Sequence, residues 1–183
     1  MTSGTPTVSA VVPIYLNHPS LYPIVSDFFE SMKIYPQVEL IVIDDCSLLP
    51  HNFLVTFRNE ENLGFTRTVN KGLSLFNSDV VLILNDDLKI KEGDLDELVL
   101  LNKKGIYYPR DTASGNLDQF GAIWGMTRET FNELGYLDES LPHYGSDREY
   151  YERAIKKGIP VIKIDHRCIE HRESSTYRHT NLK

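Results

Sequence analysis

Two short acidic stretches frame the chemistry open to this chain. Asp44-Asp45 closes one apolar run, VELIVIDD, and Asn85-Asp86-Asp87 closes another, VVLILNDD. Acid pairs gathered in one place repel one another unless a positive group lies close or one of them is protonated. A divalent cation answers that need, and hard oxygen ligands suit Mg2+ or Mn2+. Mg2+ is usually held by one or two carboxylates together with substrate phosphates, so this small number of acids is compatible with a nucleotide completing the shell. The local alternative is simple: Asn and Asp are turn formers that hydrogen-bond their own backbone after strands. A third acid, Asp147, lies in Ser146-Asp147-Arg148-Glu149, which fits the S-x-x-E capping box at a helix start. An acid in that first turn also favours the positive end of the helix dipole, by about 0.3–1 kcal/mol.

For these acids to act together the chain has to bring them to one place. The apolar runs Val8–Pro13, Val38–Ile43, Leu54–Phe57 and Val80–Leu84 predict strands. Between them, Pro19–Lys33 carries Leu21, Ile24, Val25, Phe28, Phe29 and Met32 at helical spacing, and Phe65, Val69, Leu73 and Phe76 mark a helix over about 66–76. Strands this apolar, without alternation, belong to sheets covered on both faces, and their alternation with helices argues for a largely parallel α/β sheet. Ligands in such sheets bind beyond the carboxyl ends of the strands. Parallel connectivity therefore gathers Pro13 to Asn17, Asp44 to Ser47 and Asn85 to Asp87 on one edge.

The second half reads differently. Glu97–Asn102 predicts a short helix, Tyr107–Pro109 and Gln119–Met126 strands, and Thr127–Leu134 a helix opened by a Thr cap. A further helix runs from Ser146 to Lys157 and stops at Gly158, and Val161–Ile164 is a last strand before a tail rich in histidine.

The bulk composition excludes several classes. With 183 residues the chain suits a single domain, 1–183. Its 19 basic against 26 acidic residues, a net charge of −7, argue against a nucleic-acid partner. No apolar stretch approaches the length of a membrane span, and MTSGTPTVSAVVP lacks the features of a signal peptide, so a cytoplasmic protein is expected. Cys46 and Cys168 match no metal or redox spacing and are expected to be free thiols.

The ordered series VSAVVPIYLN, VELIVIDDCS, RNEENLGFTRTVNKGL, SDVVLILNDDL, GAIWGMTRETFNELGYLDE and YGSDREYYERAIKKG resembles the family 2 glycosyltransferases. That resemblance implies the GT-A fold, a Rossmann-like α/β/α sandwich with a mostly parallel central sheet. It makes 1–90 the nucleotide-binding half and 91–183 the sugar and acceptor half with a short tail. The implied reaction is an inverting transfer of a hexosyl group from a nucleotide-diphospho-sugar to an unidentified acceptor hydroxyl, with Mn2+ or Mg2+.

Individual roles follow from the same resemblance. Pro13 and Tyr15 would cradle the base, although Tyr15 serves equally as a packing aromatic. Asp45 would hydrogen-bond the base, where an acceptor reads the N–H of uracil or thymine and favours a UDP- or dTDP-sugar; Asp44 or Asp45 can also cap the following turn. Asn62 and Arg67 belong to the stretch facing the nucleotide, and a guanidinium there binds phosphate or base oxygens, with a solvated helix residue as the alternative. Asn85 stands where the family's DxD motif has its first acid; Asp86 would bind the ribose and Asp87 the metal. Asp147 would be the catalytic base, a sugar hydroxyl being a poor nucleophile until deprotonated. His171 would add a metal ligand, with His166 in its place as the alternative. Asp138 and Glu139 would meet the acceptor or form a turn. Trp124 and Gly125 would line the sugar site, against core packing for the Trp.

Two other readings compete: a catalytically silent nucleotide-sugar-binding subunit, and a sugar nucleotidyltransferase. The second requires a Gly-rich basic loop after the first strand, whereas PIYLNHPSLYP has no Gly, Lys or Arg.

Overall fold

The computed structural model describes residues 6–111, 117–118, 121–166 and 170–171, and of residues 110, 111, 117, 118, 165 and 166 the backbone alone. Chain order is β1 (Val8–Ile14), α1 (Leu21–Met32), β2 (Val38–Asp44), β3 (Phe57–Arg58), α2 (Phe65–Leu73), β4 (Val80–Leu84) and β5 (Leu88–Lys89). A 3-10 turn at Leu98–Leu100 follows, then β6 (Ile106–Asp111), β7 (Leu117–Asp118), β8 (Ile123–Thr127), α3 (Arg128–Leu134), α4 (Ser146–Lys156), β9 (Val161–His166) and β10 (Glu170–His171).

The main sheet runs β3-β2-β1-β4-β8-β6-β7, with β9 added beside β6. Strands β3, β2, β1 and β4 are mutually parallel, β8 is antiparallel to β4 and β6, and β9 is parallel to β6. Alternate residues of β1 and β4 face opposite layers. Val8, Ala10, Val12, Val80, Leu82 and Leu84 pack with α1 residues Leu21, Val25, Phe28 and Met32. Val11, Val81 and Ile83 pack with Val69 and Leu73 of α2, Leu134 of α3 and Tyr150 and Ala154 of α4. Burial on both faces is why these strands are continuously apolar, and three layers result.

Several boundaries differ from expectation for identifiable reasons. The run Leu54–Phe57 yields only the two-residue β3, and Leu54 is 91% exposed. Thr56 Oγ1 accepts the Val42 N–H at 3.1 Å, taking a donor that a longer ladder would use. Helix α2 stops at Leu73 rather than Phe76, yet Phe76 is buried and meets the Phe131 ring edge-on at 5.1 Å. The Thr127 cap is found, its Oγ1 accepting from Thr130 N. The capping box at 146–149 is not. Gly145, left-handed at φ 86°, is the N-cap residue of α4; Ser146 Oγ turns to Thr66 Oγ1 at 2.9 Å, and Glu149 pairs with Arg153 at 2.6 Å.

Helix α2 is the brace between the two halves. Thr66 N donates to Pro142 O at 3.1 Å, Asn70 Nδ2 donates to Leu137 O at 3.0 Å, and Asn70 Oδ1 accepts from Leu137 N at 2.9 Å. Asn70 is buried, so Asn70→Ala would strand both Leu137 groups. The expected cost is about 2–3 kcal/mol. Thermal denaturation should show this as a Tm lowered by roughly 4–12 °C in a chain of this size.

Among the described residues, no helix is long and apolar enough to cross a membrane. Cys46 is a free thiol; Cys168 lies outside the described residues.

Candidate active site at the carboxyl edge of the sheet

Strands β1, β2 and β4, being parallel, end on the same edge at Ile14, Asp44 and Leu84. The loops beyond them are tied together: Asp45 N donates to Ile14 O at 2.9 Å, and Leu16 N donates to Ser47 Oγ at 2.9 Å. Tyr15 is half-buried, and its main-chain N–H donates to the Asp86 carboxylate. Burial, then the negative Asp45, raises the Tyr15 phenol above its ordinary pKa. Pro13, one position inside the strand end, is half-buried opposite Ile43.

The two acids of the first pair have separate duties. Asp44, with no exposed surface, accepts from Ser47 N at 2.8 Å and His51 Nε2 lies 3.1 Å from it, while Arg58 closes a tight ion pair. It is thereby the turn residue. Asp45 accepts from Asn59 Nδ2 at 2.8 Å, Leu63 N at 2.8 Å and Gly64 N at 2.9 Å. Its carboxylate holds the loop that leads into α2 against the end of β2. Asn62, exposed, reaches back to Asp45 O at 3.4 Å. Arg67 lies on the exposed side of α2, 3.5 Å from Glu139. Asp138 forms a turn, accepting from Ser140 N at 2.9 Å.

The second pair is buried. Asp86 is held well above the usual carboxylate range by burial first and by the neighbouring Asp87 second, with the Tyr15 and Asp86 N–H groups opposing. A carboxyl whose pKa is higher folded than unfolded binds more protons in the native state, so stability declines as pH rises above the unfolded value. Asp86→Asn keeps an acceptor for the Tyr15 N–H and removes the buried charge. In the metal-free protein it is expected to add about 1–2 kcal/mol at neutral pH. Its Tm should then rise by roughly 2–8 °C, with the gain vanishing toward pH 4.

His171 arrives at the same place through an unexpected pairing. Strand β10 adds antiparallel to β5, with His171 opposite Leu88. His171 Nε2 lies 3.2 Å from Asp87 Oδ1, and among the described residues neither buried atom has a hydrogen-bond partner. They are neighbours whose orientation is not that of a hydrogen bond. Adjacent ligands of a six-coordinate cation with bonds of about 2.1 Å stand about 3.0 Å apart, so this donor pair fits a divalent metal. Among the described residues no group of three or more His, Cys, Asp or Glu gathers as a cation cage. The His166 side chain lies outside the described residues.

Asp147 is half-buried in the first turn of α4 and leans over the Gly121–Ala122 turn. Ala122 O accepts from Asn85 N at 2.8 Å, so that turn connects the β4 acids to Asp147. Asp45, Asp86, Asp87, His171 and Asp147 are thus brought to one edge. Trp124 and Gly125 are not part of its surface, which corrects the expectation for them. Trp124 has 0% exposure and packs against the Tyr150 ring at 5.2 Å, so its face is not open to a pyranose. A methyl at Gly125 would meet Leu82 Cδ2 at 2.5 Å, so this glycine serves the close packing of β8 on β4. Asn59, which joins Asp45 to Thr68 Oγ1, and the His51 and Arg58 partners of Asp44 carried no sequence signal.

The chain is similar to several known proteins. The O-antigen biosynthesis protein RfbC of Myxococcus xanthus is 22% identical over 233 residues, covering 96% of this chain; the chain spans 18% of that relative's length. The mannosyltransferase PcManGT from Pyrobaculum calidifontis, solved with GDP-Man and Mn2+, superposes with a TM-score of 0.65 at 15% identity, over 96% of this chain and 59% of that one. A mutant Drosophila beta-1,4-galactosyltransferase 7, solved with manganese, UDP-Gal and xylobiose, also gives 0.65 at 16% identity, over 96% and 74%. The fold is GT-A. Residues 9–157 match the model for glycosyl transferase family 2, and with its strand-end acids on the edge where such a sheet binds ligands, the chain belongs to that family.

Proposed function

We propose that this protein transfers a hexosyl group from a nucleotide-diphospho-sugar to an acceptor hydroxyl, with inversion and with a divalent cation held by Asp87 and His171. The observation that carries the reading is a pair of buried atoms without a hydrogen-bond partner among the described residues, Asp87 Oδ1 and His171 Nε2, 3.2 Å apart beside the buried Asp86. A carboxylate and an imidazole suit Mn2+ or Mg2+ supplemented by phosphate oxygens.

Tyr15 and Pro13 flank the base, and Asp45 offers it an acceptor. A carboxylate has about four lone-pair positions; three hydrogen bonds already use Asp45, leaving capacity for a ring N–H such as that of uracil or thymine. This favours a UDP- or dTDP-sugar. Asp86 accepts from the ribose. Asn62 and Arg67 border the nucleotide, Arg67 after leaving Glu139. Asp147 removes the proton of the acceptor hydroxyl as that oxygen attacks the anomeric carbon, and a single displacement inverts the centre. When bound, the cation would neutralise charge growing on the departing diphosphate.

A thermal-shift screen of UDP-, dTDP- and GDP-sugars with and without Mn2+ tests the reading. A donor at 100 times its Kd stabilises the native state by about 2.7 kcal/mol, which raises Tm by roughly 5–11 °C. The larger shift should require Mn2+. Equal shifts with and without the metal reject the cation site, and no shift from any nucleotide-sugar rejects the donor class.

A further inference from the structure

The Gly121–Ala122 turn, just before β8, stands between the β4 acids and Asp147. Its Ala122 carbonyl anchors the Asn85 N–H at 2.8 Å. One residue earlier, Gly121 has φ +98°, in the left-handed region where a side chain is strained. A methyl group built on Gly121 would come 2.5 Å from Asp147 Oδ2, 3.5 Å from its carboxyl carbon and 4.0 Å from its Cβ, the closest atoms among the described residues apart from the chain neighbours. Among the described residues it is the Asp147 carboxylate that covers the backbone of Gly121. Asp147 in turn has a fixed origin, because Ser146 next to it is buried and bonded to Thr66 Oγ1 at 2.9 Å.

We propose that Gly121 is a positioning residue, whose bare backbone is the seat that sets where the Asp147 carboxylate stands relative to the β4 acids. The proposal rests on reading Asp147 as the base. The carboxylate is the free end of a short side chain and yields to the methyl contact, while the backbone strain of a side chain at φ +98° is present in both backgrounds of a double-mutant cycle and cancels in it. Asp147 would swing off its seat while the donor side, held through Tyr15, Asp45 and Asp87, keeps its geometry. A general base moved by about 1 Å loses on the order of 10–100-fold in rate.

The test is a double-mutant cycle on turnover, followed as nucleoside diphosphate release from UDP-Gal, GDP-Man and a dTDP-hexose with Mn2+. Gly121→Ala is expected to lower kcat by about 10–100-fold, with the Mn2+ and UDP thermal shifts unchanged, and to cost almost nothing further once Asp147 is Asn. The same fold loss in both backgrounds, or a loss matched by weaker UDP binding, overturns the proposal. Should Gly121→Ala fail to fold, Asp147→Glu leaves the turn intact and lifts the carboxylate by one methylene. Its kcat should fall by about ten-fold or more, and an unchanged value overturns the seat. A reading independent of activity uses the pair Gly121→Cys and Asp147→Cys, whose 4.0 Å Cβ separation is within disulfide range. Oxidised protein should yield the peptide cross-linked between positions 121 and 147; without it, the contact falls. Full turnover of Asp147→Asn with the cross-link present would remove the base assignment alone.

Discussion

Asp147→Asn is expected to slow transfer by about 10²–10⁴-fold while leaving donor-induced stabilisation unchanged. The substitution preserves size and the place in the first turn of α4, so the contact between Ser146 and Thr66 that fixes the helix start is kept. What it removes is the ability to accept a proton. A carboxamide can still hydrogen-bond the acceptor hydroxyl, so acceptor KM should move little while kcat falls. Progress curves at saturating donor and acceptor, beside a thermal titration with the same nucleotide-sugar, separate the two effects. Unimpaired transfer would remove Asp147 as base and leave its acid in the helix turn as electrostatics only.

Asp87→Ala should abolish the response to metal: turnover lower by about 10²–10³-fold, as when a group stabilising transition-state charge is deleted. Mn2+ alone should no longer raise Tm. Two consequences make this specific. His171 Nε2 loses its only close carboxylate neighbour among the described residues, and Asp86 loses the second cause of its raised pKa. Asp86 then moves toward the usual carboxylate range, so the decline of metal-free stability above pH 4 becomes shallower. A variant that keeps Mn2+-dependent turnover would contradict the role given to Asp87.

Local patterning carried most of the first 90 residues. Continuous apolar runs without alternation marked β1, β2 and β4, and because burial on two faces demands such runs, the three-layer arrangement was readable too. The parallel edge then followed, and with it the placement of Asp45 and Asp86 just beyond the ends of the parallel strands β2 and β4 on that edge. The same reasoning failed at Leu54–Phe57, where an apolar run lies mostly outside the sheet, and at Ser146–Glu149, where a capping pattern was overruled by contacts with α2 and by the Glu149–Arg153 pair. Both failures are cases of a local preference losing to a partner distant in sequence.

The sequence by itself determined which strands are buried, that their acidic ends share an edge, and the family to which those blocks belong. Only the tertiary structure decided that Trp124 is core rather than platform, that Asp44 is consumed by Arg58 and His51, and that His171 returns through β10 to Asp87. It alone brought Asp147 onto Gly121. Strand burial is written in neighbouring residues because every side chain of a strand feels the layers around it. Contacts between residues far apart in the chain depend on how helices and turns pack, and no short pattern encodes that.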